Sequence, residues 1–253
     1  MDRIFGIDSP FMRTLGVIAD LMLLNVLTIL FSLPVITAGA AFTALHYCCL
    51  KINRGEETYI TRMFLRSFKQ NFLQSVPLCL MFLLMAAGYI LDLRYANKGV
   101  IPGWFFYAGT VAILLFVYVF VWVFPLLSRF DNTTGATIKN ALIVSITKFP
   151  RTLAMLAVTA VFAFLCNPVT VGPVVFIRAL PVIFLFSFSA PAYICAKIYD
   201  PVFRSLEEGL QQPEADPADQ AEAALPDPSE GPLPDRAEAV PSEKSEEFPS
   251  DRT

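Results

Sequence analysis

Leu33-Pro34-Val35-Ile36-Thr37-Ala38-Gly39 is the stretch that decides the fold. Before it, Leu15 to Leu33 is 19 residues with a single charge, Asp20, close to the length that crosses a hydrocarbon core of roughly 30 Å. After it, Ala40 to Lys51 is shorter and mostly apolar. Pro34 removes a backbone donor, and Thr37 offers a hydroxyl to cap a new helix start. Together with Gly39 they predict the turn of a tight helical hairpin inside a membrane.

Working outward, the rest of the chain repeats this chemistry. Hydrophobic residues make up 55% of the sequence and mean hydropathy is +0.57, in long apolar blocks parted by short charged ones. The blocks are apolar on every side, which excludes the alternating pattern of a β-barrel. The fold class expected is an all-α, polytopic transmembrane bundle. It has six membrane helices, or five if Ala40 to Lys51 is re-entrant. Ala38-Gly39-Ala40 has the small-x-small form of a signal cleavage site, but the apolar run before it is longer than a signal core, so a retained helix is expected.

If the turn centres near residue 36, antiparallel arms set Asp20 opposite Lys51 and Asn25 opposite His46. A carboxylate at membrane depth is costly without a partner. An Asp20 to Lys51 ion pair and an Asn25 to His46 polar contact are therefore expected, serving either as packing glue or as a polar lining.

Residues 1–14 mix Arg3 and Arg13 with Phe5, Ile7 and Phe11, the makings of an interfacial arm. Past the hairpin, Ile60, Met63, Phe64, Phe68 and Phe72 recur at helical spacing with Arg62, Arg66 and Lys69 on the other side. This predicts an amphipathic helix lying on a membrane surface, its cations toward anionic headgroups. The phenylalanines are needed for lipid or packing, so a nucleic-acid partner is not expected. Further membrane segments follow at Val76–Leu91, Trp104–Leu127, Thr152–Asn167 and Val174–Lys197, with a second, weaker surface helix marked by Ile138, Leu142, Ile146 and Phe149. In the last segment Arg178 lies near one end, with Asp92 the acid nearest in depth, and Pro181 and Pro191 predict a bend.

Charge divides the chain in two. Residues 1–204 carry a net charge of +8 and form the membrane domain; residues 205–253 carry −11, with eight of the 19 prolines, and read as a disordered acidic tail. With six segments, thirteen cations share one face with both termini, while Arg94 and Lys98 lie opposite. The positive-inside rule makes the thirteen cytoplasmic, in a multi-pass protein of the cell membrane whose carboxyl terminus is cytoplasmic. The five cysteines lie in apolar stretches without metal or redox spacing. There is one histidine and neither a phosphate loop nor a nucleophile motif, so no catalytic residue, cofactor or metal site is expected, nor an enzyme.

Leu33-Pro34-Val35-Ile36-Thr37-Ala38-Gly39-Ala40 followed by Ala44-Leu45-His46-Tyr47 resembles the YesL family, bacterial membrane proteins grouped as a domain of unknown function. Phe64-x-x-x-Phe68-Lys69-x-Asn71-Phe72-x-Gln74, Pro125-Leu126 with Arg129-Phe130, and Pro150-Arg151-Thr152-Leu153 extend the likeness over residues 1–204. The acidic tail departs from it. The resemblance implies companionship with carbohydrate ABC transporters and their sensors, with a permease or sensor kinase as partner. The function expected is an accessory component of carbohydrate uptake or its regulation. The alternative is a small-solute transporter or channel with Asp20, Asn25, His46 and Arg178 along a polar path.

Overall fold

The computed structural model describes residues 10–56, 59–99, 102–130 and 133–211, and these are helical throughout apart from turns. In chain order the helices are α1 (Pro10–Ser32), α2 (Ala38–Arg54), α3 (Ile60–Asn97), α4 (Gly103–Phe120), α5 (Val123–Arg129), α6 (Thr134–Thr147), α7 (Phe149–Leu165), α8 (Pro168–Val171), α9 (Pro173–Phe186) and α10 (Ser189–Gln211). Four stretches are long and apolar enough to cross a membrane: Phe11–Ser32, Val35–Arg54, Ile60–Asn97 and Gly103–Arg129. The pairs α6–α7, bent by 102°, and α9–α10, bent by 51°, raise the number to six if each is one span. A compact unit covers Met1–Leu206, and α10 runs on past it to Gln211. The interfacial arm expected over residues 1–14 falls outside the described residues as far as residue 9, and from Pro10 the chain already belongs to α1. Most of the acidic tail lies outside the described residues as well.

The hairpin is present. A 3-10 turn at Val35–Thr37 separates α1 from α2. Thr37 acts differently from expectation: its hydroxyl donates backward to the carbonyls of Phe31 (2.6 Å) and Pro34 (2.7 Å), so it closes the end of α1 and does not cap the start of α2. A helix end leaves carbonyls unpaired, and in an apolar setting a local hydroxyl is the nearest donor. Thr170 repeats the device at the α7–α8 turn, donating to Phe164 at 2.6 Å and Asn167 at 2.9 Å. Gly39 lets the corner press on α3: a Cβ there would lie 2.7 Å from the Ser75 carbonyl oxygen and 2.9 Å from Cys79 Cβ. Gly39→Val is expected to cost about 1–3 kcal/mol by overpacking. The check is the melting temperature in detergent, and an unchanged melt would show the corner free to yield.

The largest departure from expectation is α3. The surface helix and the third membrane segment are one helix of 38 residues with Pro77 inside it. Its apolar stripe packs against α1. Phe64 is fully buried, and Phe31 of α1 packs on Phe64 and Phe68 with ring centroids 5.6 and 5.0 Å apart. Arg62, Arg66 and Lys69 remain exposed on the opposite side.

Burial is uneven along the bundle. Every buried residue of α3 falls at or before Cys79; α4 buries only Phe120, and α9 buries none. The core gathers at the end where α1, α2 and the first half of α3 meet α5, α6 and α10, around Leu24, Leu45, Phe64, Trp122, Tyr199 and Phe203. Beyond the corner, large apolar side chains such as Leu84, Leu115 and Val174 point outward.

Candidate functional site

Asn25 is the polar centre of the bundle. Pro191 has no N–H and its ring crowds the carbonyl four residues earlier, at Ser187, which is where α9 ends. There the helical ladder opens. The Asn25 side-chain amide stands in the gap, donating to the Phe184 carbonyl at 2.7 Å and accepting from the N–H groups of Phe188 (2.8 Å) and Ser189 (2.9 Å). Phe184 to Phe188 is the pair a continuous helix would join directly, so one amide from α1 replaces that bond. It also caps the first residue of α10 from another helix. Asn25 is fully buried, as a group with three such partners can be.

The second sharp bend, between α6 and α7, is tied similarly. Thr152 donates to the carbonyls of Ser145 and Lys148, both at 3.1 Å, while Tyr118 donates to Ser145 at 2.5 Å. The fully buried Trp122 indole N–H donates to the Thr152 hydroxyl at 2.9 Å. Thr152→Val is expected to lower stability by about 1–2 kcal/mol, because it leaves the buried indole N–H without its acceptor, while the Ser145 and Lys148 carbonyls keep their Tyr118 and backbone donors. Faster hydrogen exchange in α6 is the readout, and unchanged exchange would count against it.

A charged cluster closes the packed end. Asp200 accepts from Arg54 Nε at 2.6 Å, with both side chains 8% exposed, and from Asn53 Nδ2 and Arg204 Nε at 3.2 Å each. Deeper in, the Tyr199 hydroxyl donates to the His46 backbone carbonyl at 3.2 Å and lies 3.4 Å from His46 Nδ1.

The expected polar pairs are therefore rearranged. Asn25 does not meet His46: its partners are backbone groups of the last span, and His46 turns to Tyr199. Lys51 bonds to Glu56, just past the end of α2, and its ammonium holds the Glu56 carboxyl below the usual carboxylate range. Asp20 instead lines a cleft of about 920 Å³ with Arg62, Arg66 and Lys69. Asp92 lies against α4, where a Cβ at Gly109 would come within 2.7 Å of its Oδ2, and no hydrogen bond or ion pair joins it to the exposed Arg178 among the described residues. Asp200 and Arg54 were not singled out from sequence. The signal was there, since Asp200 is the first acid after Asp131.

A recess of about 620 Å³ opens beside the corner, walled by Phe42, Phe82, Phe120, Phe124 and Phe188, with His46, Thr159 and Ser187 as polar side chains in its lining. Among the described residues no three His, Cys, Asp or Glu side chains gather as a metal site.

These helices define a class: the described residues are all-helical, with four to six segments suited to a bilayer. Within that class, residues 21–93 match the family described as Protein of unknown function, DUF624, a stretch that holds Asn25, the corner, Arg54 and the basic stripe of α3. No curated protein and no solved structure matches the chain.

Proposed function

We propose that this chain is a multi-pass accessory protein of the cell membrane that seats against a transport or sensor partner and is not itself a conduit. The observation carrying this is the apolar recess: the cavity beside the bundle centre is walled by phenylalanines, while Asn25, Thr152 and Trp122 spend their polar atoms on helix breaks. A solute path needs polar groups along a cavity, and this recess offers few, His46, Thr159 and Ser187, in a mostly apolar lining. The partner we propose, the permease of a carbohydrate ABC transporter or its sensor kinase, rests on the family resemblance set out from the sequence. Affinity purification of the full chain from its native membrane is expected to bring down such a permease or kinase in stoichiometric amount. Saturable sugar or ion flux into liposomes holding the chain alone would overturn the proposal in favour of a transporter.

The same reading fixes depth. Between Lys69 and Asp92, α3 has 22 residues without a charge, about 33 Å at the helical rise and so close to the hydrocarbon thickness. The corner touches α3 at Ser75 and Cys79, six and ten residues past Lys69, or about 9–15 Å into that layer. The α1–α2 hairpin thus enters less than halfway and returns. Four crossings remain, by α3, α4–α5, α7 and α9–α10, and the cations of residues 1–75 stay with the carboxyl terminus on the cytoplasmic side. A cysteine at Ile36, in a Cys166→Ser background, is expected to resist impermeant thiol reagents from both faces. Labelling from outside would show a full crossing.

A further inference from the structure

We infer that the cleft between α1 and α3 is a binding site for the headgroup of an anionic phospholipid, a single phosphate diester, drawn from the cytoplasmic leaflet. The inference rests on the membrane reading above and adds a ligand to it. Arg62, Arg66 and Lys69 are spaced four and three residues apart, so they share one face of α3, and all three are exposed. They line the cleft of about 920 Å³ together with Tyr59, Leu23 and Asp20. Measured from the uncharged run of α3, Lys69 stands at the hydrocarbon boundary, with Arg66 and Arg62 about 4.5 and 10 Å farther out. That is the span of the headgroup layer, and guanidinium groups there meet phosphate oxygens in a fork geometry.

The facing wall suits the rest of a lipid. Leu23 of α1, an exposed apolar side chain, lines the cleft beside the cations at the edge of the hydrocarbon layer. Three cations against the Asp20 carboxylate give the cleft a net charge of +2, enough for one diester and poorly suited to a crowd of phosphates. Phe64 and Phe68 of α3 pack on Phe31 of α1, which sets the rotation of α3 about its own axis and so the side on which its cations stand.

The test is native mass spectrometry of the full chain from nanodiscs of equal phosphatidylglycerol and phosphatidylcholine. Selective retention of phosphatidylglycerol is expected. Arg66→Gln and Lys69→Gln should reduce it by roughly fivefold for each cation removed. Arg94→Gln, on the far side of the uncharged run, should leave it unchanged, and Arg66→Lys should restore part of the loss relative to Arg66→Gln. Circular dichroism and monodisperse elution check that the variants fold. Equal retention of both lipids, or retention indifferent to residues 66 and 69, overturns the site while leaving the membrane reading intact. Displacement by soluble glycerol phosphate would also overturn it, showing a free-phosphate site. A chain that stays monodisperse without lipid or detergent would overturn the membrane reading itself.

Discussion

Replacing Asn25 with alanine is expected to destabilise the protein by about 3 kcal/mol, among the largest effects of any single polar substitution in the bundle. The substitution removes one side chain but orphans three buried groups: the Phe184 carbonyl and the N–H groups of Phe188 and Ser189. Backbone groups deprived of partners at membrane depth have no water to turn to, so the loss exceeds that of an ordinary side-chain hydrogen bond. Asn25→Asp separates the two halves of the role. A carboxylate still accepts from both N–H groups but cannot donate to Phe184, and it places a charge where the native side chain is fully buried. Both variants should melt earlier in detergent and exchange the Phe188 and Ser189 amides faster. Native protection of those amides in Asn25→Ala would mean that the break between α9 and α10 is held by something other than this amide.

Asp200→Ala should be comparably damaging, at about 3–5 kcal/mol, because it removes the buried carboxylate that meets the Arg54 guanidinium at 2.6 Å. The informative companion is the double variant Arg54→Met with Asp200→Leu, which removes both charges and keeps volume. More than half of the lost stability is expected to return, since a missing pair harms a packed interior less than half a pair does. Chemical unfolding of the single and double variants in one detergent gives the comparison. Equal losses in single and double would show that Asn53, Arg204 and packing, and not the Arg54 bond, set the role of Asp200.

How far these features were legible depended on what kind of group each residue meets. The hairpin could be read because Pro34 and Gly39 act locally, through a missing N–H and a missing Cβ. The bend in the last span could be read from its prolines for the same reason. The fusion of a surface helix and a span into α3 could not: the charges cease after Lys69 but the backbone continues as helix through Pro77, and Phe64, Phe68 and Phe72 form the same stripe whether lipid or α1 covers it. Asn25 was matched with His46 because a search for partners among side chains overlooks backbone groups freed 159 residues away. Pro191 marked the region of the break, but the carbonyl it frees is that of Ser187, so it did not point to Phe184 as the partner of Asn25. Asp200 escaped because its partners, Asn53 and Arg54, lie at the far end of a distant helix, and only the fold brings them together.

The clamp at Asn25 also bears on how the protein is made. Its amide leaves the ribosome 159 residues ahead of Phe184, a delay of roughly 8–30 s at about 5–20 residues per second. Throughout that interval the newborn hairpin lacks the groups that complete it, and a chain halted before the final helices exposes that lack to membrane proteases. Nonsense or frameshift lesions anywhere upstream of Phe184 should therefore be seen in the cell as missing protein and not as a shorter, stable fragment.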